Sequence, residues 1–351
     1  MQHAQPAGVD PDVVDFAVVG KWMDEQGLPG GTFEEVRALG GGTQNIMLRF
    51  TRAGHDYVLR RGPKHLRAKS NEVIRREARL LGALDGTGIR APRVIAACPD
   101  ESVLGAVFYL MEPITGFNPQ NELPELYAAD PEVRRQMGLS AVESIARLGM
   151  LDYEQLGLAD YGKPDGFLER QVPRWLGELD SYAANAGYPG PQIPGVGAVG
   201  DWLERNRPAQ WRPGILHGDC HLANMMFEYE RPRVAAMVDW EMSTIGDPLL
   251  DLGWQIATRP EPGSTIGSLT GALGSVGGLP TPAEMVAHYG EFSDRDLSAV
   301  DWYTVLACFK LGIVLEGTYA RAFAGKAPQQ IGDFLHACTL ELFERAHQVM
   351  G

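Results

Sequence analysis

The chain has 351 residues, a formal net charge of -14, and 44% hydrophobic and 22% charged residues. Its hydrophobic content suffices for a substantial core, and its acidity argues against a nucleic-acid surface, because phosphate backbones favour clustered Lys and Arg. No apolar run approaches the ~18 residues of a membrane helix. We therefore expect neither a nucleic-acid nor a membrane partner.

The cysteines and the first residues bear on cellular location. Cys98, Cys220, Cys308 and Cys338 are scattered, without a CxxC pair, which is typical of reduced thiols. Residues 1–10 contain neither the basic nor the apolar segment of a secretion signal. These features predict a cytoplasmic protein.

The first part of the chain is predicted to combine strands with two helices. Asp10 and Pro11 form a good cap and first-turn pair, and helical apolar spacing continues from them until Gly27. Turn residues and apolar patterns predict strands over 35–39, 46–51, 57–61, 94–97 and 107–111, with a helix over 70–84. We predict an antiparallel N-terminal lobe over residues 1–112.

From residue 113 the pattern becomes mainly helical. Helices are predicted over 131–148, 166–181 and 200–206 and from 248 onwards, with short apolar strands at 214–216 and 234–240, and with Gly-rich surface loops at 186–200 and 262–279. The whole chain is thus predicted to be α+β, with a larger helical lobe over 113–351.

The strongest motif lies between the two short strands of this second lobe. Residues 217–224 are His-Gly-Asp-Cys-His-Leu-Ala-Asn, and Asp239 follows fifteen residues after Asn224. Transfer of a phosphoryl group from ATP needs a carboxylate to accept the proton of the attacking hydroxyl, and oxygen ligands to hold Mg²⁺. The spacing of Asp219 and Asn224 matches the HRDxxxxN pattern. We predict Asp219 as the catalytic base, and Asn224 and Asp239 as Mg²⁺ ligands.

A second pattern in the first lobe supports the same chemistry. Glu77 falls on the apolar face of the predicted helix over 70–84, where a carboxylate needs a cationic partner. Arg60 closes a strand, in the position of the lysine in the V-A-I-K strand of kinases. We predict that Arg60 and Glu77 pair and hold the ATP phosphates.

Other segments are weaker candidates for nucleotide contacts. Gly41, Gly42 and Thr43 lie in a Gly-rich turn between two strands, where backbone N–H groups can approach phosphates. Met111 and Glu112 end the last strand of the first lobe, where a hinge would offer backbone groups to adenine. The alternatives are that the Gly-rich turn has only a structural role and that Met111 is an ordinary core residue.

Three further residues bear on the loop that carries Asp219. Asp251 follows the motif on a helix and is a candidate to brace the loop, and His217 is predicted as a buried histidine that supports it. His217 and His221 at i, i+4 spacing also allow a zinc site, but no third ligand is visible at suitable spacing.

Taken together, these residues resemble the aminoglycoside phosphotransferase and choline-kinase-like family over nearly the whole chain. The segments 215–219, 238–251 and 169–175 are most similar to the kinase-like domain often fused to acyl-CoA dehydrogenases; here we expect that domain to stand alone. The resemblance implies a two-lobed protein-kinase-like fold, with ATP bound between the lobes and Arg60 in the slot where antibiotic kinases usually carry Lys.

The sequence identifies the molecule that accepts the phosphoryl group less closely than it identifies the reaction. For the fused relatives the resemblance implies a hydroxyacyl chain on coenzyme A, and the eight Lys or Arg within 60–79 are candidates to meet its phosphates. Arg170 and Trp175 are candidate substrate contacts. Two alternatives remain: an antibiotic kinase, compatible with the acidity of the chain, and a catalytically silent nucleotide-binding regulator, suggested by Arg60.

Overall fold

The computed structural model describes residues 13–40 and 45–351. The chain forms two compact units, Met1–Thr115 and Gly116–Gly351. The change of composition predicts a division after residue 112, close to this one.

The N-terminal unit is built on a five-stranded antiparallel sheet. Its strands are β1 (Phe33–Ala38), β2 (Ile46–Arg52), β3 (His55–Arg61), β4 (Val94–Cys98) and β5 (Phe108–Met111), in the order β1-β2-β3-β5-β4. Its helices are α1 (Phe16–Glu25), α2 (Ser70–Leu84) and α3 (Glu101–Leu104). The predicted helix over 70–84 is thus confirmed with its bounds, and the five predicted strands are present.

Alternation along β3 separates two environments. Tyr57 and Leu59 belong to a hydrophobic core in which α1 packs on the sheet through Phe16, Trp22 and Met23. Because successive strand residues point to opposite faces, Arg60 lies on the other face, and there it meets Glu77 of α2. The pleat of β3 thus places Tyr57 and Leu59 in the core with α1, and Arg60 on the face that meets α2.

The first helix begins later than its sequence pattern suggests. Asp10 and Pro11 lie outside the described residues, and α1 starts at Phe16. Asp15 is the N-cap, and its carboxylate accepts hydrogen bonds from the backbone N–H groups of Ala17 and Val18. Both Asp10 and Asp15 satisfy the preference for aspartate at an N-cap, so that preference alone does not locate the start of the helix.

The C-terminal unit is mainly helical and carries two short two-stranded sheets. Its helices are α4 (Glu125–Ala129), α5 (Pro131–Gly149), α6 (Gln171–Ser181), α7 (Val196–Arg205), α8 (Leu249–Ala257), α9 (Leu273–Val276), α10 (Pro282–Phe292), α11 (Val300–Phe323) and α12 (Gln329–Met350). Strands β6 (Gly214–Leu216) and β9 (Thr244–Gly246) form one antiparallel pair, and β7 (Met225–Phe227) and β8 (Val234–Met237) form the other.

Helix α11 forms the centre of this unit and packs against α6, α7, α8 and α12. Most of its side chains from Val300 to Ile313 are buried, on all sides of the helix, as expected of a central core helix. Among the residues that the structure describes, no helix combines the length and apolar character needed to cross a bilayer. The four cysteines are buried free thiols.

Several predicted segments differ in the structure. The Gly-rich stretch 186–200 is helical from Val196, where α7 begins, and the helix predicted over 166–181 begins at Gln171. The Gly-rich stretch 262–279 is not a plain surface loop, because it contains α9 and a 3₁₀ turn, with Ile266 and Leu273 buried. The strand predicted over 234–240 ends at Met237. It cannot continue, because Asp239 has a φ of 64°, in the left-handed region, and a 3₁₀ turn follows at Trp240–Met242.

Candidate active site

The polar loop 217–224 leaves the end of β6 and is fixed by helix α8. The backbone N–H groups of His217 and Gly218 donate to the two carboxylate oxygens of Asp251, at 2.6 and 2.9 Å. The contact that we predict between Asp251 and this loop is therefore present. Gly218 has a φ of +84°, and a Cβ there would lie 2.4 Å from the carbonyl oxygen of Met242, so the turn requires glycine.

His217 is a buried imidazole that links the loop to the strand beyond it. Its Nε2 lies 3.0 Å from the carbonyl oxygen of Val238, and its Nδ1 lies 3.4 Å from the backbone nitrogen of Asp219. A carbonyl can only accept, so Nε2 carries the proton and Nδ1 accepts from Asp219. Burial lowers the pKa of His217, against the opposing effect of the Asp251 carboxylate, which favours this neutral form.

Asp219 and Asn224 face each other across the loop. The Asn224 amide nitrogen donates both to the carbonyl oxygen of Asp219, at 2.9 Å, and to its carboxylate Oδ2, at 3.0 Å. The Asp219 side chain is 29% exposed, and its Oδ1 lies 3.6 Å from Nε2 of His221. The carboxylate is therefore oriented by Asn224 and still reachable from solvent, as a general base must be.

Asp239 is brought to the same loop by backbone contacts. The N–H of Val238 donates to the carbonyl oxygen of Asn224 at 2.9 Å, and the Val238 carbonyl accepts from His217. Both groups of the residue before Asp239 are thus bonded to the loop. A left-handed aspartate is uncommon, and such conformations cluster at functional sites. The structure therefore brings the three predicted residues together within one small region.

Lys310, in the middle of α11, also contacts this loop, a role that the sequence motifs do not predict. Its Nζ donates to the carbonyl oxygen of Gly218 at 2.9 Å, although the residue is only 5% exposed. Burial lowers the pKa of Lys310 to about 8, against the opposing effects of the Asp219 and Asp251 carboxylates. The available signal was a single charge in the otherwise uncharged run 302–314.

In the N-terminal unit, the predicted pair of Arg60 and Glu77 is present. Arg60 Nε lies 2.8 Å from Glu77 Oε2, and the two residues are only 6% and 2% exposed. A buried pair of this kind is strongly destabilised when one partner is removed, typically by 3–5 kcal/mol, because the other charge remains uncompensated. The pair therefore fixes α2 against the sheet.

The structure describes some of the other predicted nucleotide contacts but not all of them. Gly41, Gly42 and Thr43 lie outside the described residues. Met111 is the buried last residue of β5. The backbone N–H of Glu112 donates to the carbonyl oxygen of Arg93, and its carboxylate forms an ion pair with the Arg93 guanidinium. The hydrogen bond from Arg93 lowers the pKa of Glu112.

The two candidate substrate contacts on the C-terminal unit are occupied by protein groups. Arg170 donates hydrogen bonds to the carbonyl oxygens of Lys163 and Asp165. Trp175 is a buried residue of α6 whose indole nitrogen lies 3.4 Å from Gln171 Oε1. These contacts give both side chains a structural role, and contact with substrate stays a prediction for each.

The contacts of His217 bear on the zinc site that its spacing to His221 allows. Both ring nitrogens of His217 are hydrogen-bonded, which does not suit a zinc ligand. Among residues 13–40 and 45–351, no three His, Cys, Asp or Glu side chains are grouped for metal binding.

Within the basic segment 60–79, Arg61 donates to the carbonyl oxygen of Val13 and Arg75 pairs with Glu101. Like Arg60, Arg61 and Arg75 therefore already bind groups of the protein itself.

Comparison with known proteins places these residues in a family. The model of the phosphotransferase enzyme family APH matches residues 35–296. Acyl-CoA dehydrogenase family member 11 of Homo sapiens is 30% identical over 273 residues, which are 77% of this chain and 34% of that protein. Acyl-CoA dehydrogenase family member 10 of Mus musculus is 29% identical over 281 residues, 78% of this chain and 25% of that protein. The chain thus spans between a quarter and about a third of these two relatives.

Solved structures extend the likeness to the fold. A protein of Ralstonia eutropha, named as a proposed aminoglycoside phosphotransferase, has a TM-score of 0.77 and 28% identity, and the match covers 95% of this chain and 98% of that one. The GDP complex of aminoglycoside 2'-phosphotransferase-IIIa has a TM-score of 0.62 and 14% identity, with 93% and 98% covered. The predicted α+β, protein-kinase-like fold class is confirmed.

The family model covers far more than half of the chain and includes the loop with Asp219, Asn224 and Asp239 as well as the Arg60–Glu77 pair. This chain belongs to the APH phosphotransferase enzyme family.

Proposed function

We propose that this chain transfers the γ-phosphoryl group of ATP to a hydroxyl group of a small molecule, with Asp219 as the base and with Mg²⁺ as its metal. The observation that carries the proposal is the double hydrogen bond from the Asn224 amide nitrogen to the Asp219 backbone and carboxylate oxygens. It fixes a partly exposed carboxylate beside a second oxygen-bearing side chain, as phosphoryl transfer to a hydroxyl requires.

The proposed reaction uses Asp219 as a proton acceptor. The acceptor oxygen forms a bond to the γ-phosphorus while the bond from that phosphorus to the β,γ-bridging oxygen of ATP breaks. The hydroxyl proton passes to the Asp219 carboxylate, and ADP is the leaving group. Asn224 keeps the carboxylate in one orientation, and Asp251 keeps the loop backbone in place.

The side chains beside Asp219 suit magnesium. Asn224 uses its amide nitrogen on Asp219, so its amide oxygen is the atom that remains for a metal, and Asp239 adds a carboxylate. Amide and carboxylate oxygens are hard ligands that Mg²⁺ accepts together with phosphate oxygens and water. Asn224 and Asp239 would hold the ion, which when bound would neutralise negative charge that develops on the phosphate oxygens.

The N-terminal unit is proposed to hold the nucleotide. The Arg60 guanidinium is anchored by Glu77 and carries further N–H donors suited to phosphate oxygens. The glycines and threonine of 41–43 would contribute backbone N–H groups. Because the N–H of Glu112 is already bonded to Arg93, we propose the Glu112 carbonyl as the adenine contact there. Some solved relatives are complexes of GDP or ADP.

For the acceptor, we propose first a hydroxyacyl thioester of coenzyme A. Its support is the sequence identity to proteins named acyl-CoA dehydrogenase family members 10 and 11. The second candidate is an aminoglycoside, supported by the likeness to the Ralstonia eutropha structure. The two classes have opposite charge, since coenzyme A is anionic and aminoglycosides are cationic.

The test is a comparison of acceptors. We expect ADP release from Mg-ATP to increase at least tenfold with one class among hydroxyacyl-CoA thioesters, aminoglycosides and simple alcohols, and most with the thioesters. Stimulation by an aminoglycoside alone would favour the second candidate. No stimulation by any class, with Mg-ATP bound, would support the silent-regulator alternative and contradict the proposal.

Asp239→Asn is expected to weaken Mg-dependent ATP binding. Asparagine tolerates the left-handed conformation as well as aspartate does, so the change removes a charge and leaves the backbone unstrained. A tenfold loss of affinity at saturating nucleotide lowers the ligand's stabilisation by about 1.4 kcal/mol, measured as a smaller thermal shift on adding Mg-ATP. Asp201→Asn, an exposed aspartate of α7, is the control. An unchanged shift for Asp239→Asn would argue against metal ligation there.

A further inference from the structure

The peptide group that joins Gly218 to Asp219 is held at both of its polar ends. Its carbonyl oxygen accepts from Lys310 Nζ at 2.9 Å, and its N–H, on Asp219, faces Nδ1 of His217 at 3.4 Å. The peptide plane sets the direction in which the Asp219 side chain leaves the backbone. Because Gly218 has a positive φ and no Cβ, nothing in its own side chain opposes rotation of this plane.

Lys310 carries its charge in a buried position, and its hydrogen bond to the Gly218 carbonyl accounts for that charge. It lies in the core helix α11, and its ammonium packs over the rings of Trp254, at 4.4 Å, and Trp175, at 5.7 Å. The groups that act on its charge are Asp219 and Asp251, with Arg174 and the Cys220 thiol as further neighbours. A buried ammonium is unfavourable unless it is paired and hydrogen-bonded, so an apolar residue would suit packing alone.

We propose that Lys310 is a positioning residue of the phosphoryl-transfer site, which fixes the Gly218 carbonyl and thereby the direction of the Asp219 carboxylate. The effect on turnover rests on the function proposed above, whereas the effect on the loop does not. The indole rings hold the lysine side chain in place, and Asp251 holds the neighbouring N–H of Gly218. Misplacement of a reacting group by about 1 Å can lower a rate on the order of 10²-fold.

The experiment compares Lys310→Met and Lys310→Gln with wild type in the full chain. Methionine matches the length of the lysine stem and removes the donor, and glutamine keeps an N–H donor without charge. Thr304→Val is the matched control, because Thr304 is a buried polar residue of the same helix whose hydroxyl donates to the carbonyl oxygen of Val300, within that helix. Hydrogen exchange of the loop 217–224, the melting temperature, and kcat and KM for Mg-ATP are measured.

We expect exchange at the Asp219 amide to become about tenfold faster in Lys310→Met, with kcat lower by about 10- to 100-fold and KM for Mg-ATP within about twofold. Lys310→Gln should fall between Lys310→Met and wild type, and Thr304→Val should match wild type. A residue that only stabilises the fold would lower the melting temperature and leave the kcat of the folded protein unchanged.

Two results would overturn the proposal: loop exchange in Lys310→Met equal to that of wild type, or faster exchange with an unchanged kcat. The first is read without any substrate. If wild type itself transfers no phosphate, the function proposed above fails, and the exchange data alone decide whether Lys310 fixes the loop. If Lys310→Met does not fold, the comparison of Lys310→Gln with Thr304→Val takes its place.

Discussion

Asp219→Asn is expected to lower kcat for phosphoryl transfer by about 10²–10⁴-fold, the range that general-base catalysis contributes. Asparagine keeps an oxygen that can accept from Asn224, so the loop should keep its shape while the base is lost. Affinity for Mg-ATP should stay within about threefold of wild type, because the Arg60–Glu77 pair is unchanged. Kinetics with a responsive acceptor measure the first effect, and calorimetric titration of Mg-ATP measures the second.

The control for this change is Asp201→Asn, which removes one carboxylate from an exposed position on α7. Full activity in the control with loss of activity in Asp219→Asn would separate the base from a general effect of charge. Normal turnover by Asp219→Asn would mean that another group accepts the proton, and the assignment of Asp219 would then be wrong.

The second large effect is expected from Asp251→Asn. Asp251 is a buried acceptor for two backbone N–H groups, and an amide offers only one oxygen, so its NH₂ group would face one of these donors. An unsatisfied buried donor typically destabilises by about 1–3 kcal/mol, and we expect a loss of about 2–4 kcal/mol in the free energy of unfolding. Denaturant unfolding measures it, with Asp201→Asn as the reference.

The same change should lower kcat, because one of the N–H groups of His217 and Gly218 would lose its acceptor and the loop would be held less firmly. Burial raises the pKa of Asp251, and the hydrogen bonds from the backbone N–H groups of Gly218 and His217 oppose that rise. The opposing contacts are the interactions that the asparagine variant weakens. If Asp251→Asn were as stable as wild type and equally active, bracing of the loop by this carboxylate would be disproved.

The elements that the sequence predicted well have strong local patterns. Helix α2 was found with its bounds because its apolar face repeats at helical spacing over fifteen residues. The Arg60–Glu77 pair followed from two arguments: a carboxylate on an apolar face requires a cation, and Arg60 closes a strand in the position of the lysine in the V-A-I-K strand. Asp219 and Asn224 lie on one loop, and Asp239 follows the β7–β8 pair that comes directly after it, so the short separation of the three residues along the chain was enough to predict them as a group.

What the sequence did not predict depends on long-range packing. Lys310 meets Gly218 across 92 positions of sequence, and no periodicity in either segment encodes that contact. Strands β7 and β9 contain only three residues each, too few for an alternation to be recognised. In 262–279, glycines suggested a loop, but Gly274 lies where a Cβ would meet the carbonyl oxygen of Gly267 at 1.8 Å. Close packing, and not a flexible turn, accounts for that glycine.

The most direct measurement is phosphorus NMR of the full chain with Mg-ATP and the acceptor that stimulates ADP release most. We expect a new phosphate-monoester resonance on the acceptor, formed in equal amount with ADP and absent with Asp219→Asn. Release of inorganic phosphate alone, or a monoester that forms equally well in the variant, would contradict transfer to a hydroxyl with Asp219 as the base.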